Sequence, residues 1–493
     1  MSSRDDKKVL EERKAEGEIG GVTVQSMNQR LLKTEYAVRG EVLDLAQSLQ
    51  QKLNSGEQLP FSKIYNCNIG NPQKLGQQPL TFNREVLSLL LNPSLMTSRP
   101  DFTSESIDRA KEYLAAIVGG VGAYSNSQGL EIVRKEVARF ISRRDGFASD
   151  PSNIFLTAGA SAGVKMIYQA LISPSRKDGI MVPIPQYPLY SALSTLMGAQ
   201  LVGYYLDEKK QWTAGASELN RSLADAKKRG ANVRAMVVIN PGNPTGQCLS
   251  LTAQQEIVRF CVRNSLVLLA DEVYQENVYA KDKRFTSFKK VALSMGIEAS
   301  SLQLVSFHSV SKGFIGECGL RGGYMELHNF PASVVAQIRK LASISLCPNT
   351  IGQVSVGLMV RPPVKDSKAL YETQRAKTLA SLERRANKFA AALNAIDGIT
   401  CNRAEGAMYL FPRVELSPGA IAESKRREFA SPDTYYCFEA VRKTGIVVVP
   451  GSGFKQEPGT FHFRTTFLPP ESSLDSVIKA FRVFHESFTK THA

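Results

Sequence analysis

The chain has 493 residues, 43% of them hydrophobic, which is enough to bury one large core and a smaller one. Its 61 Lys and Arg outnumber 46 Asp and Glu, giving a formal net charge of +15, yet the basic residues are spread along the length and mixed with acids, which excludes a dedicated nucleic-acid module and suits anionic metabolites. No run reaches the roughly 18 apolar residues of a membrane span. The seven cysteines (Cys67, Cys248, Cys261, Cys318, Cys347, Cys401, Cys437) are odd in number and never in CxxC spacing, which excludes a disulfide framework or a zinc site and predicts reduced core thiols.

Residues 1–24 read as a charged arm running into Gly20-Gly21-Val22; the stretch 1–17 carries both signs and no apolar segment, so it predicts neither a secretory leader nor, given its acids, a mitochondrial presequence. The expected location is cytoplasmic, with an organellar pool compatible. Residues 38–53 place Val42, Leu45, Ala46, Leu49 and Leu53 at helical spacing and predict a first amphipathic helix ending near Asn54-Ser55-Gly56. The piece from Tyr65 to Pro72 is extended and enters a turn, where Gly70 either relieves the backbone or lets a ligand approach it closely. Helical patterns follow over 80–91 and 106–118, then a glycine loop whose only aromatic is Tyr124, then a helix over 130–142.

From there short apolar runs at 154–156, 179–182, 201–205, 235–239, 265–270 and 302–307 alternate with helical ones, the pattern of an α/β domain with a mostly parallel sheet covered by helices on both faces. Beyond Pro362-Pro363 a long helix over 367–393 precedes strand-like residues 408–411, a polar insertion over 418–432, apolar strands at 446–449 and 462–466, and a closing helix over 472–488. That order predicts a separate, smaller α+β domain.

Ligands of such sheets gather beyond the carboxyl ends of the strands, and four of these ends carry unusual residues. Thr157-Ala158-Gly159-Ala160-Ser161 opens a helix and is either a plain turn or a phosphate cradle of backbone N–H groups and the Ser161 hydroxyl. Pro185-Gln186-Tyr187-Pro188 is either a structural turn or a stiffened loop holding an aromatic face against a flat ring. Asn240-Pro241-Gly242-Asn243-Pro244 fixes its backbone tightly and leaves the Asn243 amide to serve an acceptor. Asp271 ends an apolar strand, where desolvation calls for a positive partner. Lys312, in Ser309-Val310-Ser311-Lys312-Gly313, supplies an amine that can condense with an aldehyde. Pyridoxal 5′-phosphate needs this set: a phosphate cradle, an aromatic wall, a donor to its ring oxygen, a carboxylate for its ring nitrogen, and a lysine.

Residues 306–313 and 316–324, with Ile69-Gly70-Asn71-Pro72, residues 76–82, Gly406-Ala407-Met408-Tyr409 and residues 449–454, resemble the fold-type I aminotransferases, and among them the alanine-specific members. The likeness runs from about residue 25 to the C-terminus and implies a fold-type I pyridoxal-phosphate-dependent transferase: an arm (1–24), an N-terminal part of a small domain (25–80), a large domain (81–365) and a C-terminal small domain (366–493). It implies Lys312 as Schiff-base lysine and proton shuttle, Asp271 as partner of the ring nitrogen, Asn243 and Tyr274 on the ring oxygen, and Tyr187 stacked on the ring. Ala160, Ser161, Ser309 and Arg321 would hold the phosphate, with Tyr124 arriving from the second subunit of a homodimer. Arg464 would grip the substrate α-carboxylate, beside Gly70 and Asn243. Two positions depart from the family pattern, Ala162 after Ala-Ser and Lys455 after Gly-Ser-Gly-Phe, and neither removes a catalytic group.

The resemblance implies reversible transfer of the amino group of L-alanine to 2-oxoglutarate, giving pyruvate and L-glutamate, with small amino and keto acids as partners and no metal, nucleic acid or membrane. The alternatives are the same chemistry on aromatic or branched-chain donors and, in another class, a cofactor-binding regulator that touches DNA. The stretch before the fold is too short for the DNA-binding domain that the latter needs.

Overall fold

The computed structural model describes residues 22–36, 40–98 and 101–493. Residues 1–21 of the expected arm, and positions 38–39 of the expected first helix, lie outside the described residues.

Seven strands make the central sheet: β1 (Ile154–Thr157), β2 (Asp178–Ile184), β3 (Gln200–Tyr205), β4 (Asn232–Ile239), β5 (Val267–Asp271), β6 (Leu304–Ser309) and β7 (Gly323–His328). Their spatial order is β1-β7-β6-β5-β4-β2-β3. The run from β3 to β6 is parallel, whereas β7 runs against both β6 and β1. Side chains alternate across the strands, so Met236 and Val238 pack on helices Ala216–Lys228 and Leu251–Arg263, while Ala235, Val237 and Ile239 pack on Ala160–Leu171, Pro188–Met197 and Ala332–Ile344. Because both faces are covered, the strands read as unbroken apolar runs rather than alternating ones.

β7 escapes a search for apolar runs. The fully enclosed Glu326 interrupts it, and that charge is met by Lys289 Nζ at 2.5 Å and by the Ser149 hydroxyl at 2.5 Å. The polar insertion expected over 418–432 is largely helical: Ser417 caps a helix, Pro418–Arg426, and Ser431 caps the next, Pro432–Thr444. Of the seven cysteines five are buried, but Cys318 and Cys347 are partly exposed, so the expectation of core thiols fails for these two.

A second core gathers helices Glu41–Asn54, Lys368–Asn394, Pro432–Thr444 and Glu471–Thr491. Beside them lies an antiparallel sheet in which Phe463–Thr466 pairs with Tyr409–Leu410 on one side and Val449–Pro450 on the other. Tyr65–Asn66 pairs in parallel with Ile446–Val447, which ties the early chain to the late chain. Further upstream, helix Gln29–Leu32 lies on Pro188–Met197, with Arg30 Nη1 donating to the Met197 carbonyl at 3.5 Å. The segment 22–36 is thus strapped to the sheet's helices, while the helix from Glu41 belongs to the second core.

Candidate active site

The carboxyl ends of β4, β5 and β6 and the start of helix Ala160–Leu171 face the second core across a cavity of about 350 Å³. From the sheet side come Ala160, Asn243, Asp271 and Lys312, and from the other side Gly70, Tyr409 and Arg464. Residues far apart in sequence meet here because parallel strands all end on one edge.

Asp271 is 6% exposed, and burial pushes its carboxyl above the usual range; the Tyr190 hydroxyl, 2.7 Å from Oδ2, the Val273 N–H and the charge of Lys312 pull it back only in part. Such a carboxylate gains from a cation placed against it. Lys312 follows β6, and its Nζ donates to the Gly70 carbonyl at 2.7 Å. A Cβ on Gly70 would fall 1.9 Å from Tyr409 Oη and 3.2 Å from Lys312 Nζ, so only glycine allows this approach. Tyr274 Oη donates to Tyr409 Oη at 3.4 Å. Burial alone would push the Tyr409 phenol up, but the charges of Lys312 and Arg464 outweigh it and bring the group below its ordinary value.

The opposite end of the cavity is built for an anion. No side chain caps the first turn of Ala160–Leu171; the Ala162 N–H donates to the Gly159 carbonyl at 3.2 Å, and the N–H groups of Ala160 and Ser161 stay available beside the Ser161 hydroxyl. Arg321, at φ +52°, lays Nη2 at 3.1 Å from the Ala158 carbonyl and 3.3 Å from Ser161 Oγ, and Nη1 at 3.0 Å from the Cys318 carbonyl. Gly159, at φ +79°, makes room, since a Cβ there would lie 2.2 Å from Arg321 Nη2. Ser309, buried at the end of β6, completes the wall.

Arg464, 2% exposed, lies between the rings of Tyr409 and Phe454, 4.3 and 4.7 Å from their centroids. Its Nη1 donates to Asn243 Oδ1 at 3.1 Å and its Nη2 to the Asn68 carbonyl at 2.6 Å. The buried Nε has no partner, which leaves this fork short of one acceptor.

Of the residues singled out in the sequence, Gly70, Ala160, Ser161, Tyr187, Asn243, Asp271, Tyr274, Ser309, Lys312, Arg321 and Arg464 all line this cavity. Tyr124 does not: it is 79% exposed and outside the lining. Sequence reasoning gives no site role to Tyr36, Tyr190 or Tyr409, although Tyr409 stands in the Gly406–Tyr409 stretch. Tyr190 carries a usable signal, one helical turn beyond Tyr187, whereas Tyr36 and Tyr409 reach the site only through the tertiary fold.

The family model described as aminotransferase class I and II matches residues 93–481. The chain belongs to this family. The aminotransferase is 52% identical over 474 residues to alanine aminotransferase 1, mitochondrial, of Arabidopsis thaliana, spanning 95% of this chain and 87% of that one. It is 44% identical over 475 residues to alanine aminotransferase 1 of Homo sapiens, 95% of each chain, and 47% identical over 484 residues to glutamate–glyoxylate aminotransferase 2 of Arabidopsis thaliana, 95% and 97%. A solved alanine aminotransferase from Pyrococcus furiosus superposes with a TM-score of 0.73 at 26% identity, over 94% of this chain and 100% of that one. The shared architecture is fold-type I, and the aminotransferase depends on pyridoxal 5′-phosphate. Its cavity suits that group: a buried carboxylate short of a cation, an uncapped helix start with a guanidinium beside it, and an amine between them.

Proposed function

We propose that this aminotransferase moves the amino group of L-alanine to 2-oxoglutarate, reversibly, giving pyruvate and L-glutamate. The observation that carries the reading is the meeting of Lys312, Asp271 and Arg464 in one cavity, in a chain 44–52% identical to proteins named alanine aminotransferase. Pyridoxal 5′-phosphate, when bound, supplies an electrophilic carbon for the amino group and a ring that takes up the electron pair freed at the substrate's Cα.

Lys312 would hold the cofactor covalently and, once released, carry the proton from the substrate's Cα. Asp271 keeps a proton on the ring nitrogen, a task its burial suits because an enclosed carboxylate binds a cation strongly. Asn243 and Tyr274 would bind the ring oxygen, Tyr187 would stack on the ring, and Ala160, Ser161, Ser309 and Arg321 would hold the phosphate. Arg464, oriented by Asn243 and Asn68 and still short of an acceptor at Nε, binds the α-carboxylate. The Gly70 carbonyl, 2.7 Å from Lys312 Nζ, orients the amine.

The same proposal makes the enzyme a homodimer in which the exposed Tyr124 serves the partner's phosphate site, and divides the chain as an arm, a two-part small domain and a large domain at the boundaries given above. For location we propose the cytoplasm; the Arabidopsis relative is named mitochondrial, so imaging of the full chain with a C-terminal tag has two readable outcomes, diffuse or organellar signal. Among the described residues no helix is long and apolar enough to cross a membrane.

Initial rates across a panel of amino donors, with 2-oxoglutarate, pyruvate and glyoxylate as acceptors, test the reaction. Fast alanine:2-oxoglutarate exchange is expected. Negligible turnover of alanine beside rapid turnover of an aromatic or branched-chain donor would sink the assignment.

A further inference from the structure

A second cavity, of about 440 Å³, shares no lining residue with the first. The two adjoin along the chain, since Gly70 and Asn71 line the first and Pro72 begins the wall of the second. Its size falls within the roughly 300–1,000 Å³ of small-molecule pockets. The walls come from residues 72–79, from residues 468–471 and from one face of helix Lys368–Asn394. On that face Gln374, Thr378, Ser381 and Arg385 follow one another at steps of four, three and four, which sets them in a single stripe. A polar helix stripe ordinarily meets water; this one faces a space between protein walls.

The lining favours an anion. Arg385 is half-buried, and main-chain carbonyls hold its guanidinium: Nη1 donates to Leu468 at 2.6 Å and Pro469 at 3.0 Å, and Nε to Ser381 at 3.2 Å. Carbonyls fix the plane of a guanidinium without neutralising it, and burial draws this group below the usual arginine range. Lys377, exposed on the same wall, brings a second positive charge. The acid in the lining, Glu471, is already gripped by Arg384 Nε at 2.9 Å, Arg384 Nη2 at 3.0 Å and Ser381 Oγ at 3.0 Å. Residues 377 and 385 stand about 12 Å apart along the helix, so a ligand that answers both needs two anionic groups.

The opposite wall leads to the chemistry. Gln77 Nε2 donates to the Phe314 carbonyl at 2.8 Å, and a Cβ on Gly316 would fall 2.6 Å from that nitrogen. The segment 72–79 is therefore seated on the loop that carries Lys312, while just upstream the Gly70 carbonyl accepts from Lys312 Nζ at 2.7 Å. A ligand joining the helix to this segment bears on the position of that carbonyl.

We propose that the second cavity is an effector site for a small polyanion with two or more carboxylate or phosphate groups, which engages Lys377 and Arg385 and steadies residues 70–79. Calorimetry tests it by titrating citrate and pyrophosphate into the holoenzyme after aminooxyacetate has filled the active cavity and closed the Arg464 seat. One saturable site per chain is expected, and Lys377→Gln should weaken it roughly tenfold while leaving anion-free transamination unchanged. Lys388→Gln, on the same helix but paired with Asp475 at 2.6 Å and outside the cavity lining, removes equal charge and should leave binding intact. Binding of citrate alone, of pyrophosphate alone or of both assigns carboxylates, phosphates or both as the groups recognised. Binding of neither, or equal losses in the two variants, overturns the site. Amide hydrogen exchange reads the link to Lys312: the anion is expected to protect residues 70–79 as well as 374–385, and protection confined to the helix overturns the effector role.

Discussion

Arg464 pays the desolvation of a buried guanidinium with two aromatic faces, two hydrogen bonds and one vacancy at Nε. A lysine keeps the charge but not the planar fork, so Arg464→Lys is expected to raise the KM for amino and keto acids by roughly tenfold to a hundredfold, measurable in steady-state kinetics with both substrates varied. Glu272, next to Asp271 and 1% exposed, allows a pH test. Burial pushes its carboxyl up to about 8; the charge of Arg144 and the Phe288 N–H, 2.8 Å from Oε1, oppose the rise, and Asp145 and Glu326 add to it. In the folded state the group therefore holds its proton at pH values where the unfolded chain has lost it. Its contribution to stability is fully present below the usual glutamate range and is lost as pH rises through about 8. Glu272→Gln, which retains an acceptor for Phe288, should flatten this dependence, so the Tm of the variant gains on the wild type as pH is raised from about 5 to 9 in thermal melts.

At the scale of elements, the turn from β1 into Ala160–Leu171 is tightly constrained. Gly159→Ala brings a Cβ to 2.2 Å from Arg321 Nη2 and also strains a left-handed backbone, and so displaces the guanidinium from the anion end. Cofactor affinity should fall roughly tenfold or more with the fold retained, measured by equilibrium binding after dialysis and by circular dichroism. The strand ends also separate what local residue pattern discloses from what it hides. Asp271 and Lys312 are legible because a charge ending an apolar run is conspicuous, and Asn243 because its prolines mark a defined turn. β7 is not, because Glu326 breaks its pattern and is neutralised by Lys289 from a different element. Helix Pro432–Thr444 is hidden for a related reason: it starts at the end of the polar insertion, although Ser431 is its cap.

On the scale of the whole molecule, Tyr124 is the residue the protomer leaves without employment, exposed and away from its own cavity. A dimer with about twice the chain mass is expected by light scattering, and Tyr124→Phe should loosen the cofactor roughly tenfold. If dilution to monomer leaves cofactor affinity intact, that shared site is refuted. Tyr36 and Tyr409 mark the limit of sequence reading at this scale, since Tyr36 belongs to no local pattern, Tyr409 shows only as part of the stretch Gly406–Tyr409 with no role of its own, and both matter only because a strap and a second core converge on the sheet. The reversed direction of β7 has a mechanical consequence as well. Lys312 leaves β6 and Arg321 approaches β7 within one short loop, with no crossover helix between them, while Arg464 and Tyr409 stand on the second core. A rocking of the second core would thus move Arg464 and Tyr409 against Lys312 and Arg321, which stay on the sheet, as a vice has one fixed jaw and one that travels.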